Sequence, residues 1–141
     1  IRNMRSVPLW IAAVWWGSLT TLGFFVVPML FAHLPTPAMA GAMAARLFTV
    51  QTAISAVSGM VLLMLFRSKM SLTPVDIAQS ATLFVVGGVL LALLVEFGVS
   101  PHIIARDNLA LWHGVGTGMY VVQWACAGVV FGKLSVRRGV P

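Results

Sequence analysis

The stretch LWHGVGTGMY, Leu111 to Tyr120, places a histidine beside glycines at positions 114, 116 and 118 inside an otherwise apolar run. Three chemistries use such a pattern: a phosphate-binding loop, a metal or haem ligand on a helix, and a helix-packing seam with a polar neighbour. A phosphate loop needs its glycines between a strand and a helix, and nothing around this stretch supplies a strand. The metal reading draws on His33 and Met29, four apart on one helix face, with Met39 and Met43 across a turn and His102 and His113 further on. Thioether and imidazole ligands suit Cu(I), although methionine also fills gaps in apolar packing. Haem would need two axial residues at similar depth, for which His33 and His113 are the candidate pair. Glu96, at the end of LALLVEFG, is costly in hydrocarbon unless paired or wet. Its candidate partners are Arg46, Arg106 and His113. No nucleophile, base and orienting acid come together as a catalytic set, so an enzymatic role has no support. The single Cys126 excludes an internal disulfide and a paired-thiolate metal site.

These residues must be positioned by membrane helices. Of 141 residues, 60% are hydrophobic and 9% charged, and the mean hydropathy is +0.98. A soluble domain carries about 25% charged residues, so this composition demands lipid. The net charge of +6 sits at the edges of apolar runs, which points to lipid headgroups and not to nucleic acid. Four apolar segments, about 7–33, 42–66, 74–97 and 109–131, each meet the roughly 20 residues a bilayer core requires. The expected fold is an all-α integral membrane protein, an antiparallel four-helix bundle forming one membrane domain. Pro35 and Pro37 stop the first helix; Thr73, Pro74 and Asp76 resemble the start of the third; Asn108 can cap the fourth. Pro28 should kink the first helix by freeing the carbonyl of Phe24. Arg2 and Arg5 ahead of an apolar run, with Ala38-Met39-Ala40 after it, imitate a secretory signal. The run is nearly twice the usual h-region of about 7 to 15 residues, so it reads as a membrane helix.

Seven of the nine Lys and Arg residues, Arg2, Arg5, Arg67, Lys69, Lys133, Arg137 and Arg138, fall on one side of the four segments. The positive-inside rule then makes both termini cytoplasmic. All three histidines fall on the outer side, together with Arg46, Glu96, Arg106 and Asp107.

At 100° per residue the fourth helix divides into stripes. His113, Thr117, Tyr120 and Trp124 form a polar one, and Gly114, Gly118 and Ala125 a small-residue one. Val115, Met119, Val122, Cys126 and Val129 form an apolar one suited to lipid. Gly114 and Gly118 make a GxxxG pair, which lets helix backbones approach closely. The first helix offers a comparable stripe of Ala13, Gly17, Thr21, Phe24 and Pro28. The second presents Phe48, Gln51, Thr52, Ser55 and Gly59, and the third has Gly87 and Gly88 near mid-membrane. Of the five tryptophans, all but Trp124 read as interfacial anchors.

The segment from Leu9 to Ile54 resembles the opening of the transmembrane protein 205-like family, whose bacterial members are classed as a domain of unknown function. The likeness rests on Gly17, Phe25, Val26, Pro28, Leu34, Pro35, Ala40, Gly41, Arg46, Leu47 and Phe48. His113, Gly114 and Gly116 are similar to that family's closing His-Gly motif, with Thr117 where its members often carry serine. The resemblance implies a four-helix integral membrane protein and brings no agreed activity. The resulting expectation is a small multi-pass protein of a bacterial inner membrane, a scaffold or accessory subunit packing against other subunits or copies of itself. The alternative is solute or soft-metal handling, copper above all, through an outward-facing His/Met/Glu site.

Overall fold

In hydrocarbon every backbone polar group must be satisfied within the chain, and four long helices do this here. The computed structural model describes residues 3–136; Arg2, Arg137 and Arg138, counted above among the basic residues of one side, lie outside them. The helices are α1 (Met4–His33), α2 (Pro37–Phe66), α3 (Val75–Ile104) and α4 (Leu109–Val136), each apolar and long enough to cross a membrane. The chain is a multi-pass membrane protein, and among the described residues it contains no strand. Thirty residues at 1.5 Å per residue span about 45 Å. That exceeds the roughly 30 Å hydrocarbon core, so helix ends reach the headgroup region or the helices tilt.

Several boundaries differ from the sequence expectation. Pro37 does not stop the first helix but begins the second, five residues ahead of the expected Ala42. It sits at the first helical position behind Thr36, whose hydroxyl accepts a bond from the Met39 N–H at 3.2 Å. This threonine cap satisfies one of the free N–H groups at a helix start. At the start of α3 the cap position is Pro74 itself, with extended ψ and no side-chain bond, and Thr73 is buried behind it. Asn108 offers its carbonyl to the Trp112 N–H at 3.2 Å but adopts φ 39°. It therefore ends a tight left-handed connection in which Arg106, φ 58°, shares the same strained region.

Both α1 and α3 widen into a single π turn, at Leu22–Val26 and Val95–Val99. In each, an N–H bonds five residues back, Val27 to the Leu22 carbonyl and Ser100 to the Val95 carbonyl. Pro28 and Pro101 follow their turns at the same distance. A proline lacks an N–H and clashes with the carbonyl four residues earlier; the extra residue of a π turn moves that carbonyl aside. The disturbance expected at Pro28 thus takes the form of a widened turn. Its twin in α3 carries Glu96.

The core is one cluster of Ala12, Trp15, Leu19, Leu62, Val85, Ala127, Val130 and Leu134. The inward face of α1 is therefore Pro8, Ala12, Trp15, Leu19 and Leu22. The stripe expected there is displaced outward: Thr21, Phe24 and Pro28 are exposed. On α2 the expected stripe does face inward, with Gln51, Ser55 and Gly59 buried.

Candidate functional site

The buried polar groups lie at the middle of the bundle. Trp15, wholly enclosed, donates its indole N–H to Ser55 Oγ at 2.9 Å. The Ser55 hydroxyl then donates to Gln123 Oε1 at 2.8 Å. Gln51 Nε2 donates to Ser18 Oγ at 3.0 Å, and Ser18 returns its own proton to the Trp15 carbonyl at 2.7 Å. Three helices, α1, α2 and α4, are stitched together in this way. A second seam joins α1 and α4: Trp124 Nε1 donates to Thr20 Oγ1 at 2.9 Å, and the Tyr120 hydroxyl to the Leu19 carbonyl at 2.6 Å. Trp16 stacks on both Trp124 and Phe131 beside it. An unsatisfied polar group in hydrocarbon costs several kcal/mol, so these bonds specify which faces meet. A cavity of about 10 Å³ opens next to them, lined by Phe48, Gln51, Thr52, Ala92, Val95, Tyr120 and Gln123.

Trp15 corrects the expectation that it anchors at the interface. Its signal was the spacing with Ala12 and Leu19, one helix face of three apolar residues, which the general preference of tryptophan for headgroups obscured. Trp16 is likewise half-buried in an aromatic stack. Gln123, which belongs to none of the three stripes of the fourth helix, is buried as well, its inward position set by Ser55 of α2.

The other concentration of polar residues lies where α1 passes into α2 and α3 into α4. Glu96, on the π turn, accepts a bond from Thr49 Oγ1 of α2 at 2.8 Å. Among the described residues no ion pair or hydrogen bond joins Glu96 to Arg46, Arg106 or His113. Arg46, Arg106 and His113 are all exposed. His102 meets Asp107 at 3.3 Å and stacks flat on Trp112, ring centroids 4.1 Å apart. His33 is exposed, and its Nδ1 lies 3.0 Å from the Met29 carbonyl of its own helix. That bond leaves Nε2 directed away from the backbone. Among the described residues no three His, Cys, Asp or Glu side chains gather as a metal-holding group.

The glycines separate into two populations. A Cβ added at Gly88 would come within 2.9 Å of the Trp15 ring; at Gly128, within 2.8 Å of Trp16 Nε1; and at Gly116, within 3.3 Å of Val99. Gly59 is pressed against Val89 and Gly23 against the Tyr120 ring. At Gly17, Gly114 and Gly118 the same construction meets nothing within 4 Å. Close helix approach through glycine is real in this chain, but within it the contacts use other glycines than the GxxxG pair. Gly114, Gly116 and Gly118 all lie inside the continuous helix α4, which removes the phosphate-loop geometry. The apolar stripe of α4 assigned to lipid is only partly so. Cys126 turns towards α3, its Cβ 3.5 Å from where a Gly88 side chain would begin.

A domain of unknown function, DUF4149, matches residues 10–110. The chain belongs to the DUF4149 family. The matched region takes in most of α1, all of α2 and α3 and the connection to α4, and so includes Trp15, Gln51, Ser55 and Glu96, while LWHGVGTGMY lies wholly beyond it. No curated protein and no solved structure matches the chain.

Proposed function

We propose that this DUF4149 protein is a scaffold or accessory subunit of a bacterial inner membrane, working by packing against other membrane helices. In this reading it is an antiparallel bundle with cytoplasmic termini, and the end bearing the histidines faces outward. Short connections favour antiparallel neighbours, and the basic residues favour that orientation. The likeness of its α1–α2 region and of His113-Gly114 to the transmembrane protein 205-like family accords with this reading without adding an activity. The observation that carries the proposal is that Gly17 of α1 and Gly114 and Gly118 of α4 are each open, a Cβ built there meeting nothing within 4 Å. In lipid, where apolar surface alone gives helices no reason to associate, small residues mark places where backbones can approach. Purification in mild detergent or in native membrane discs tests it. The proposal expects a particle heavier than one 15.1 kDa chain, with further subunits or copies identified by mass spectrometry. A monodisperse monomer contradicts it.

A second reading, soft-metal or solute handling, is favoured by His33. A histidine that commits Nδ1 to a backbone carbonyl presents Nε2 as a ligand, and Met29, Met39 and Met43 are exposed on the same and the following helix. Metal analysis of the purified protein beside a His33→Ala/His113→Ala variant separates the readings. Copper retained by the wild type and lost in the variant supports handling. Equal, negligible metal in both removes it.

A further inference from the structure

The two halves of the chain repeat one design. Pro8, Ala12, Trp15 and Leu19 are buried on α1; Ala81, Val85, Gly88 and Ala92, each 73 residues on, are buried on α3. Gln51, Ser55, Ser58 and Leu62 are buried on α2; Gln123, Ala127, Val130 and Leu134, each 72 residues on, are buried on α4. The π turns obey the first offset, as do Phe24 and Phe97, Val26 and Val99, Pro28 and Pro101, and Ala32 and Ala105. The chain is thus two copies of a helical hairpin.

Equivalent residues that touch must lie on the axis relating the copies. Trp15 meets Gly88, Phe48 meets Tyr120 edge-on with centroids 5.6 Å apart, and Gln51 and Gln123 line one cavity. These three pairs mark an approximate two-fold axis through the bundle. The glutamines sit 14 residues into α2 and α4, about 21 Å along helices of 45 and 42 Å at 1.5 Å per residue, near mid-membrane.

Both glutamines are at least 95% buried, yet their hydrogen bonds are incomplete. Gln51 uses one N–H on Ser18, which leaves Oε1 without a donor among the described residues. Gln123 uses Oε1 on Ser55, which leaves both protons of Nε2 without an acceptor among the described residues. Thr52, also on the cavity wall, gives its proton to the Phe48 carbonyl at 3.0 Å and keeps an oxygen lone pair. The space between offers one donor side and two acceptor sides, and its volume of about 10 Å³ meets the lower limit for one water, which seeks two to four partners.

We propose that Gln51 and Gln123 hold a single buried water molecule on the internal two-fold axis. It accepts from Gln123 Nε2 and donates to Gln51 Oε1 and Thr52 Oγ1. A bare cation fits this wall poorly, because Gln123, its Oε1 already engaged by Ser55, has only amide protons left to offer.

The test is a structure of the full-length protein in lipid at a resolution that shows ordered water. One peak within about 3.2 Å of both Gln51 Oε1 and Gln123 Nε2, absent in a Gln123→Met variant, is the expected result. An empty cavity, or a direct hydrogen bond from Gln123 Nε2 to Gln51 Oε1 in the wild type, overturns the proposal. Thermal unfolding of the wild type in sodium, potassium and choline chloride tests the occupant without any variant. Equal midpoints support water; a midpoint raised by sodium alone overturns it in favour of a cation.

Discussion

At mid-bundle the Trp15 ring lies fully enclosed against Gly88, and each neighbouring hydroxyl has a partner on another helix or on its own backbone. At the histidine end His113 and Gly114 are both exposed, and nothing lies within 4 Å of where a Gly114 side chain would begin. Both regions hold glycines and polar side chains, so residue types alone do not tell them apart. What differs is whether another helix of the same chain supplies the complementary shape. In the middle, large and small residues at equivalent positions of the repeat interlock, Trp15 against Gly88. At the end the chain leaves Gly114 and Gly118 unfilled, and apart from the Thr49–Glu96 bond its polar contacts are local: His102 with Asp107, His33 with its own backbone.

Substitutions along this gradient should fall in order of effect. Gly88→Val is expected to be the most damaging, because the enclosed Trp15 ring cannot give way; overpacking costs about 1–3 kcal/mol and occasionally more. Unfolding of purified protein in detergent, or loss of folded yield, reads it out. Ser55→Ala comes next. It strands the Trp15 indole N–H and removes the donor to Gln123, and a buried unsatisfied group costs about 1–3 kcal/mol, tempered in membranes, where hydrogen bonds between helices average about 0.6 kcal/mol. A Trp15→Phe/Ser55→Ala double variant should be less unstable than the sum of the single ones, as a thermodynamic cycle will show. Glu96→Gln keeps an acceptor for Thr49 and should change stability by less than about 0.5 kcal/mol. Were it to destabilise as much as Ser55→Ala, the carboxylate charge would have a partner that the geometry does not give it. His102→Ala should be as weak or weaker, also within about 0.5 kcal/mol, since exposed ion pairs contribute little.

The same contrast explains what could be read from the residues alone. Four spans were legible because the lipid core sets a length that apolar runs either reach or miss, and the inward stripe of Gln51 and Ser55 stood out as polar residues at helical spacing. Cap chemistry was less so: Pro37 is as compatible with ending one helix as with starting the next, and only Thr36 bonded to Met39 decides. The π turns were hidden because a proline announces a disturbance without saying how the backbone absorbs it. A helix wheel groups Gly114 with Gly118 correctly, but it carries no information on what faces them. Gly59 and Gly88 stood out by their place on a helix, but not the residues they receive, and Gly23 and Gly128 gave no sign of their role, since each of the four is filled by a residue on another helix. Trp15 was masked by the tendency of tryptophan to sit at headgroups.

The proposed function requires that filled glycines build the protomer while the open ones face a partner. Gly88→Leu and Gly118→Leu, made in the full chain and compared for thermal stability and particle mass in mild detergent, test it most directly. Gly88→Leu is expected to lower the unfolding midpoint or abolish folding. Gly118→Leu should keep the wild-type midpoint of the protomer and reduce the particle to a single chain. A Gly118→Leu protein with unchanged particle mass, or one as unstable as Gly88→Leu, would contradict it.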